Sequence, residues 1–148
     1  MERSQVGAME PFELCVSSDL TQLARISEFV AQSARQAGVS EAGVFEIQMA
    51  TDEACTNSIE HAYSGHTGEV RVCCWVEEGD FVVRVTDFGR RFDPNQVPLP
   101  DTSAPLESRD IGGLGLFFMR ELTDHVEFSS DAVQGNRVIL RKHLPLGR

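Results

Sequence analysis

Lysine is almost missing from this chain: of its 13 basic residues twelve are arginine, and Lys142 is the only lysine. Phosphate chemistry elsewhere in the chain must therefore use Arg, backbone N–H groups or a metal. No run of eighteen apolar residues exists, which excludes a membrane-spanning helix. The opening "MERSQVGAMEPFE" has no apolar signal-peptide core, which points to the cytoplasm. Cysteine is sparse and wrongly spaced for a zinc site: Cys15, Cys55, Cys73 and Cys74 form no CxxC or Cys/His pattern. The adjacent Cys73 and Cys74 are expected on opposite faces of a strand, as small apolar residues in a reducing compartment. His61 and His66 are not expected to pair on a metal, because a turn is predicted between them. The formal net charge of −10 argues against a nucleic-acid backbone as partner.

The 148 residues present, 41% hydrophobic and 24% charged, suit one soluble globular domain with a real core. A strand is predicted at 12–16. A helix follows, capped by Ser18 or Asp19, running through Gln36 and stopped by Gly38. A second helix, capped by Ser40, is expected over 41–63. Two strands then flank a tight turn at Glu78, Gly79 and Asp80. Residues 88–112 hold four of the six prolines and read as a long functional or mobile loop. A helix over 114–124 and a pair of strands around Gly135 complete the chain. Helices and strands do not alternate as in a doubly wound sheet. The expected class is α+β, a two-layer sandwich whose mixed, largely antiparallel sheet is covered by helices on one face.

Three stretches carry candidate chemistry. On the second helix, Val44, Ile47, Ala54, Cys55, Ile59 and Ala62 gather on one arc, and Glu46, Glu53, Asn57, Glu60 and His61 on the other. Taken alone, the polar arc fits a solvated face. The functional reading uses Glu53 and Asn57, one turn apart: a carboxylate to take a proton and an amide oxygen suited to Mg²⁺. In "VVRVTDFGRRFDP", an apolar strand ends at Asp87 and Gly89 allows a tight turn. This is either a common turn or a carboxylate that accepts from an exocyclic amine such as adenine's. "DFG" also occurs in eukaryotic-type protein kinases, but their other signatures are missing here. In "RDIGGLGLFFMREL", Gly112, Gly113 and Gly115 crowd a helix start, although each glycine costs a helix about 1 kcal/mol against alanine. Either close helix packing or phosphate at the helix N-terminus explains them. The Walker pattern GxxxxGK[ST] is absent.

In this order, "DEACTNSIEHAY", "DFGRRFDP" and "GGLGLFFMRELTDHVEFSS…GNRVILRK" resemble the GHKL ATPases of the Bergerat fold, and within them the anti-sigma-factor serine/threonine kinases of the RsbW and SpoIIAB type. The resemblance spans about Phe12 to Leu144 and implies a single histidine-kinase-like ATPase domain over 1–148, with an ATP lid at about 90–112. It further implies that Asn57 ligates Mg²⁺ and that Glu53 is the general base. Asp87 would bind the adenine amine in a pocket shaped by Gly89. The Gly113-Leu114-Gly115 segment would bind ATP, with N–H groups of both glycines on the phosphates, and Arg109 would lie near the γ-phosphate. The implied partners are a STAS-type anti-anti-sigma protein, as phosphorylation substrate, and a sequestered sigma factor; a homodimer is also implied. Two positions depart from the family: Arg91 replaces the second glycine of D-x-G-x-G, and Asn136 follows Gly135 where relatives carry Thr, which alters one polar contact near the adenine. His61 stays open between a structural hydrogen bond and a catalytic role. A regulatory module that binds nucleotide and sequesters a partner without phosphorylation is the competing function, to be separated by Glu53→Ala. A histidine-kinase fragment fits less well, for lack of a helix pair carrying a phospho-accepting histidine.

Overall fold

The computed structural model describes residues 9–63, 66–90 and 111–145, with the backbone alone over 9–10 and 111–116. Strand β1 (Met9–Ser17) leads through a 3-10 turn at Leu20–Gln22 into helix α1 (Leu23–Ala37). Helix α2 (Glu41–Asn57) runs on into one π-helical turn, Ser58–Ala62. Strands β2 (Glu69–Glu77) and β3 (Asp80–Asp87) form a hairpin; α3 (Ile111–Leu122), β4 (His125–Asp131) and β5 (Gly135–His143) close the chain.

Local chemistry accounts for the boundaries. The Asp19 side chain, not Ser18, accepts from the Thr21 N–H, while Ser18 Oγ accepts from the Gly68 N–H at 2.8 Å. Gly38 ends α1 at φ 95°, the left-handed conformation a side chain disfavours, and its N–H caps the Ala34 and Arg35 carbonyls. Ser40 caps α2 by accepting from Gly43 N–H at 3.1 Å. Glu78 and Gly79, at φ 53° and 82°, make the two-residue turn whose twist matches a hairpin.

The sheet order is β1-β2-β3-β5-β4, and every pairing is antiparallel. The expected mixed character is absent among the described strands. Alternation sends Val70, Val72, Cys74 and Val76 of β2, and Phe81, Val83 and Val85 of β3, into one cluster with Ile26, Val30, Ile47, Ala54 and Met119 of the helices. Burying each of the larger of these side chains stabilises the fold by about 2 kcal/mol. Cys74 joins this core and Cys73 is buried on the opposite face beside Arg84, the alternation expected of them. Burial pushes the Cys74 thiol up to about 12 and raises Cys55 as well, so both are apolar fillers.

Glu46, expected on the solvated arc of α2, is instead half-buried and paired. It accepts from Lys142 Nζ at 2.5 Å, and the same ammonium reaches the Leu122 carbonyl at 3.3 Å. The sole lysine thus ties β5 to α2 and to the end of α3, far from any phosphate role. A helix wheel could not show this, because Glu46 and Lys142 are 96 positions apart.

Candidate functional site

The end of α2, the end of β3 and the start of β5 meet around a cleft. Asn57, Ser58, Asp87 and Asn136 supply its polar wall, and Ala54, Met119, Phe128 and Val138 its apolar wall. Asp87 is buried, placed by the register Val70↔Asp87↔Asn136 across β2, β3 and β5. Its Oδ2 accepts from Ser58 Oγ at 2.7 Å. Its Oδ1 accepts from Asn136 Nδ2 at 2.7 Å and from the Gly89 N–H at 3.1 Å. A carboxylate has about four acceptor positions; three are taken, and one is left for a donor such as an exocyclic amine.

Asn136 does more than alter one contact. Its Nδ2 also lies 2.9 Å from the Arg90 carbonyl and its Oδ1 accepts from Ser130 Oγ at 2.6 Å. It therefore joins β4, β5 and the exit of β3. Two glycines make the approach possible. A Cβ on Gly89 would fall 2.2 Å from the Ala62 carbonyl oxygen, and one on Gly135, itself at φ 81°, 2.4 Å from the Asp87 carbonyl oxygen. Gly89 shapes the site by packing on the π turn. Arg90 then clamps that turn, its N–H donating to the Ala62 carbonyl at 2.7 Å and its guanidinium reaching the His61 carbonyl at 3.4 Å. Tyr63 Oη accepts from the Phe88 N–H and donates to the Glu69 carbonyl, both at 2.7 Å.

The single helix expected over 41–63 is thus corrected. It widens after Asn57 into the π turn Ser58–Ala62, a distortion that recurs at functional sites. Ser58, at the start of that turn, reaches Asp87, and the Ala62 carbonyl receives Arg90. Ser58 was missed from sequence; its signal was a lone hydroxyl in the apolar arc between Ala54 and Ile59. His61 is exposed at the cleft rim and its carbonyl holds Arg90.

Glu53 and Asn57 lie one turn apart on α2, both half-buried, and Asn57 lines the cleft. Among the described residues neither side chain has a hydrogen-bond partner. The Glu53 carboxyl is pushed above its ordinary value, first by burial and then by the Glu60 charge. Burial and the Glu53 charge push neighbouring Asp52 up to about 6, and its Oδ1 is buried without a partner. Helix α3 begins at Ile111, earlier than expected, so Gly112, Gly113 and Leu114 fall in the first turn, where N–H groups lack helical acceptors; Gly115 follows. Arg91 and Arg109 lie outside the described residues, as does most of the expected lid.

The cleft thus pairs a buried carboxylate that has one acceptor position left with apolar walls, an arrangement that fits a flat ring bearing an amine donor. The profile of the histidine kinase-like ATPase domain matches residues 16–142. The chain belongs to this family. Among its relatives, the serine-protein kinase RsbW of Listeria monocytogenes serovar 1/2a is 32% identical over 137 residues, covering 89% of this chain and 85% of the relative. The serine-protein kinase RsbW of Bacillus thuringiensis is 28% identical over 139 residues, covering 91% and 86%. The crystal structure of the RsbU and RsbW domains of Rv1364c from Mycobacterium tuberculosis superposes with a TM-score of 0.66 at 16% identity, covering 92% of this chain and 33% of that one. A histidine kinase domain from Erythrobacter litoralis gives 0.53 at 18% identity, covering 84% and 60%. These two likenesses bear on the fold alone. The expected histidine-kinase-like ATPase fold and the RsbW-like resemblance both hold.

Proposed function

We propose that this serine/threonine protein kinase transfers the γ-phosphoryl group of ATP to a Ser or Thr hydroxyl of a STAS-type anti-anti-sigma protein in the cytoplasm, and in its other state sequesters a sigma factor. The observation that carries nucleotide recognition is the Asp87 carboxylate, buried and held by Ser58, Gly89 and Asn136 with one acceptor position left. That position takes the adenine amine, and Ala54, Met119 and Val138 flank the ring. N–H groups of the Gly113-Leu114-Gly115 segment and its neighbour Gly112 face the phosphates, and Arg109 adds positive charge there.

The site also suits Mg²⁺. No group of three or more His, Cys, Asp or Glu able to hold a metal occurs among the described residues, whereas Asn57 offers one hard oxygen at the cleft. Mg²⁺ takes few protein ligands and completes its shell from phosphate and water. Held by Asn57, the ion would supply charge neutralisation for the transferring phosphoryl group. Glu53, one turn away, accepts the proton of the attacking hydroxyl, and its raised pKa makes it a stronger base than a solvated glutamate.

Incubation with labelled Mg·ATP and STAS-domain proteins from the same genome, followed by mapping of the label, tests the reading. Label on one Ser or Thr, lost in Glu53→Ala with nucleotide affinity intact, supports it. A wild type that sequesters its partner in a nucleotide-dependent way and labels no STAS protein establishes the binding-module alternative instead.

A further inference from the structure

Helix α2 carries a second apolar feature besides its buried stripe. Phe45 and Met49 are 61% and 41% exposed, in a helix whose inner face already buries Ile47, Ala50 and Ala54. Residues four apart lie above one another on a helix, so Phe45, Met49, Glu53 and Asn57 form one row. Its first two members are exposed and apolar, the third is the half-buried carboxylate, and the fourth lines the nucleotide cleft. Gln48 binds Ser27 of α1 on one flank, and α3 packs along the other with Phe118 40% exposed. An open apolar ridge therefore leads straight to Glu53. The uncharged Ala42 and Thr56 adjoin this row, and Asp52 and Glu46, each three positions from Met49, border it on either side.

We propose that Phe45 and Met49 form the docking surface for the protein that presents the acceptor hydroxyl. The inference rests on the kinase reading above and adds where the substrate protein sits. A hydroxyl attacking a phosphoryl group beside Asn57 must come within hydrogen-bond reach of Glu53. Met49 is one turn, about 5.4 Å, and Phe45 two turns from Glu53 along α2. A folded protein that delivers a hydroxyl to Glu53 from the open side of the helix thus covers both. The partner that fits is a small folded protein whose Ser or Thr is flanked by apolar side chains. An aromatic and a methionine are common anchors for such a contact.

The test uses the STAS-domain protein that the wild type labels, with Phe45→Ala, Met49→Ala and the double variant of the full chain. Both side chains are exposed, so an unchanged melting temperature is expected and is checked first. The expected result is at least a tenfold rise in KM for the STAS protein in the double variant, with KM for ATP unchanged. An unchanged KM for the STAS protein overturns the docking surface alone. So does a raised KM for ATP, which assigns the ridge to the nucleotide site or to this chain's own residues. Loss of self-association in light scattering without a change in KM assigns it to a second copy and also overturns the proposal. A wild type that labels no STAS protein overturns the substrate reading, and the docking surface with it.

Discussion

The two ends of the proposed kinase site treat their carboxylates in opposite ways. At the base end, Asp87 is buried and both its oxygens accept hydrogen bonds, from Ser58, Gly89 and Asn136. At the end proposed to be catalytic, Asp52 and Glu53 are half-buried and have no hydrogen-bond partner among the described residues; beyond burial, the Glu53 charge acts on Asp52 and the Glu60 charge on Glu53. A buried polar group costs free energy unless it is paired. The base end is therefore complete before any ligand arrives and contributes to the fold. The catalytic end retains desolvated charge, which raises the basicity of Glu53 at some expense in stability.

Glu53→Gln probes the catalytic end most severely. It removes the base and is expected to lower phosphotransfer by about 100- to 10,000-fold, with the melting temperature unchanged or slightly raised. Steady-state rates beside a thermal melt check this, and a variant that melts well below wild type contradicts the division between the two ends. Asp87→Ala should do the reverse at the base end. It leaves three donors without their acceptor, and chemical denaturation should show a loss of about 3 kcal/mol, together with loss of ATP binding. An unchanged denaturation midpoint would mean that the Asp87 network adds nothing to the fold.

Asp52→Asn sharpens the comparison through pH. The native pKa of Asp52, about 6, lies above its ordinary 3.8, so between these values the folded state binds more protons than the unfolded one. Stability contributed by the neutral carboxyl is full below about pH 4 and is lost as pH rises through 6. The asparagine variant should therefore be more stable than wild type at pH 7 by about 1 kcal/mol, after screening of a half-exposed group, and equal to it near pH 3.5. Denaturant melts at the two pH values decide. The smallest effect is expected from Glu60→Gln. Removing that charge lowers the Glu53 pKa, so the acid limb of the pH–rate profile should move down by a fraction of a unit. A limb that stays in place would show that burial alone sets Glu53.

Much of the fold was legible because its signals are local. Gly38 and Ser40 mark the break between α1 and α2, Glu78-Gly79 marks the hairpin, and the alternating β2 and β3 show their core face. Spacing put Glu53 and Asn57 one turn apart and Asp87 at a strand end, but taken alone these fitted a solvated face and a common turn. Only the order of the three stretches, and the resemblance they carry, singled them out as candidates. The π turn was not legible, since Ser58–Ala62 has ordinary helical spacing and the groups that meet it, Asp87 and Arg90, come from the exit of β3.

The amino-acid order by itself determined which residues could do chemistry and which element each sits on, because helix and strand periodicity and turn preference act over a few neighbouring positions. Only the tertiary structure decided what those residues became. Ser58 and Asn136 reach Asp87 from 29 and 49 positions away, and the fully antiparallel sheet order sets that meeting point. Lys142, the one lysine, is drawn to Glu46 rather than to a phosphate. Burial, which depends on the whole packed chain, raised the pKa values of Asp52 and Glu53.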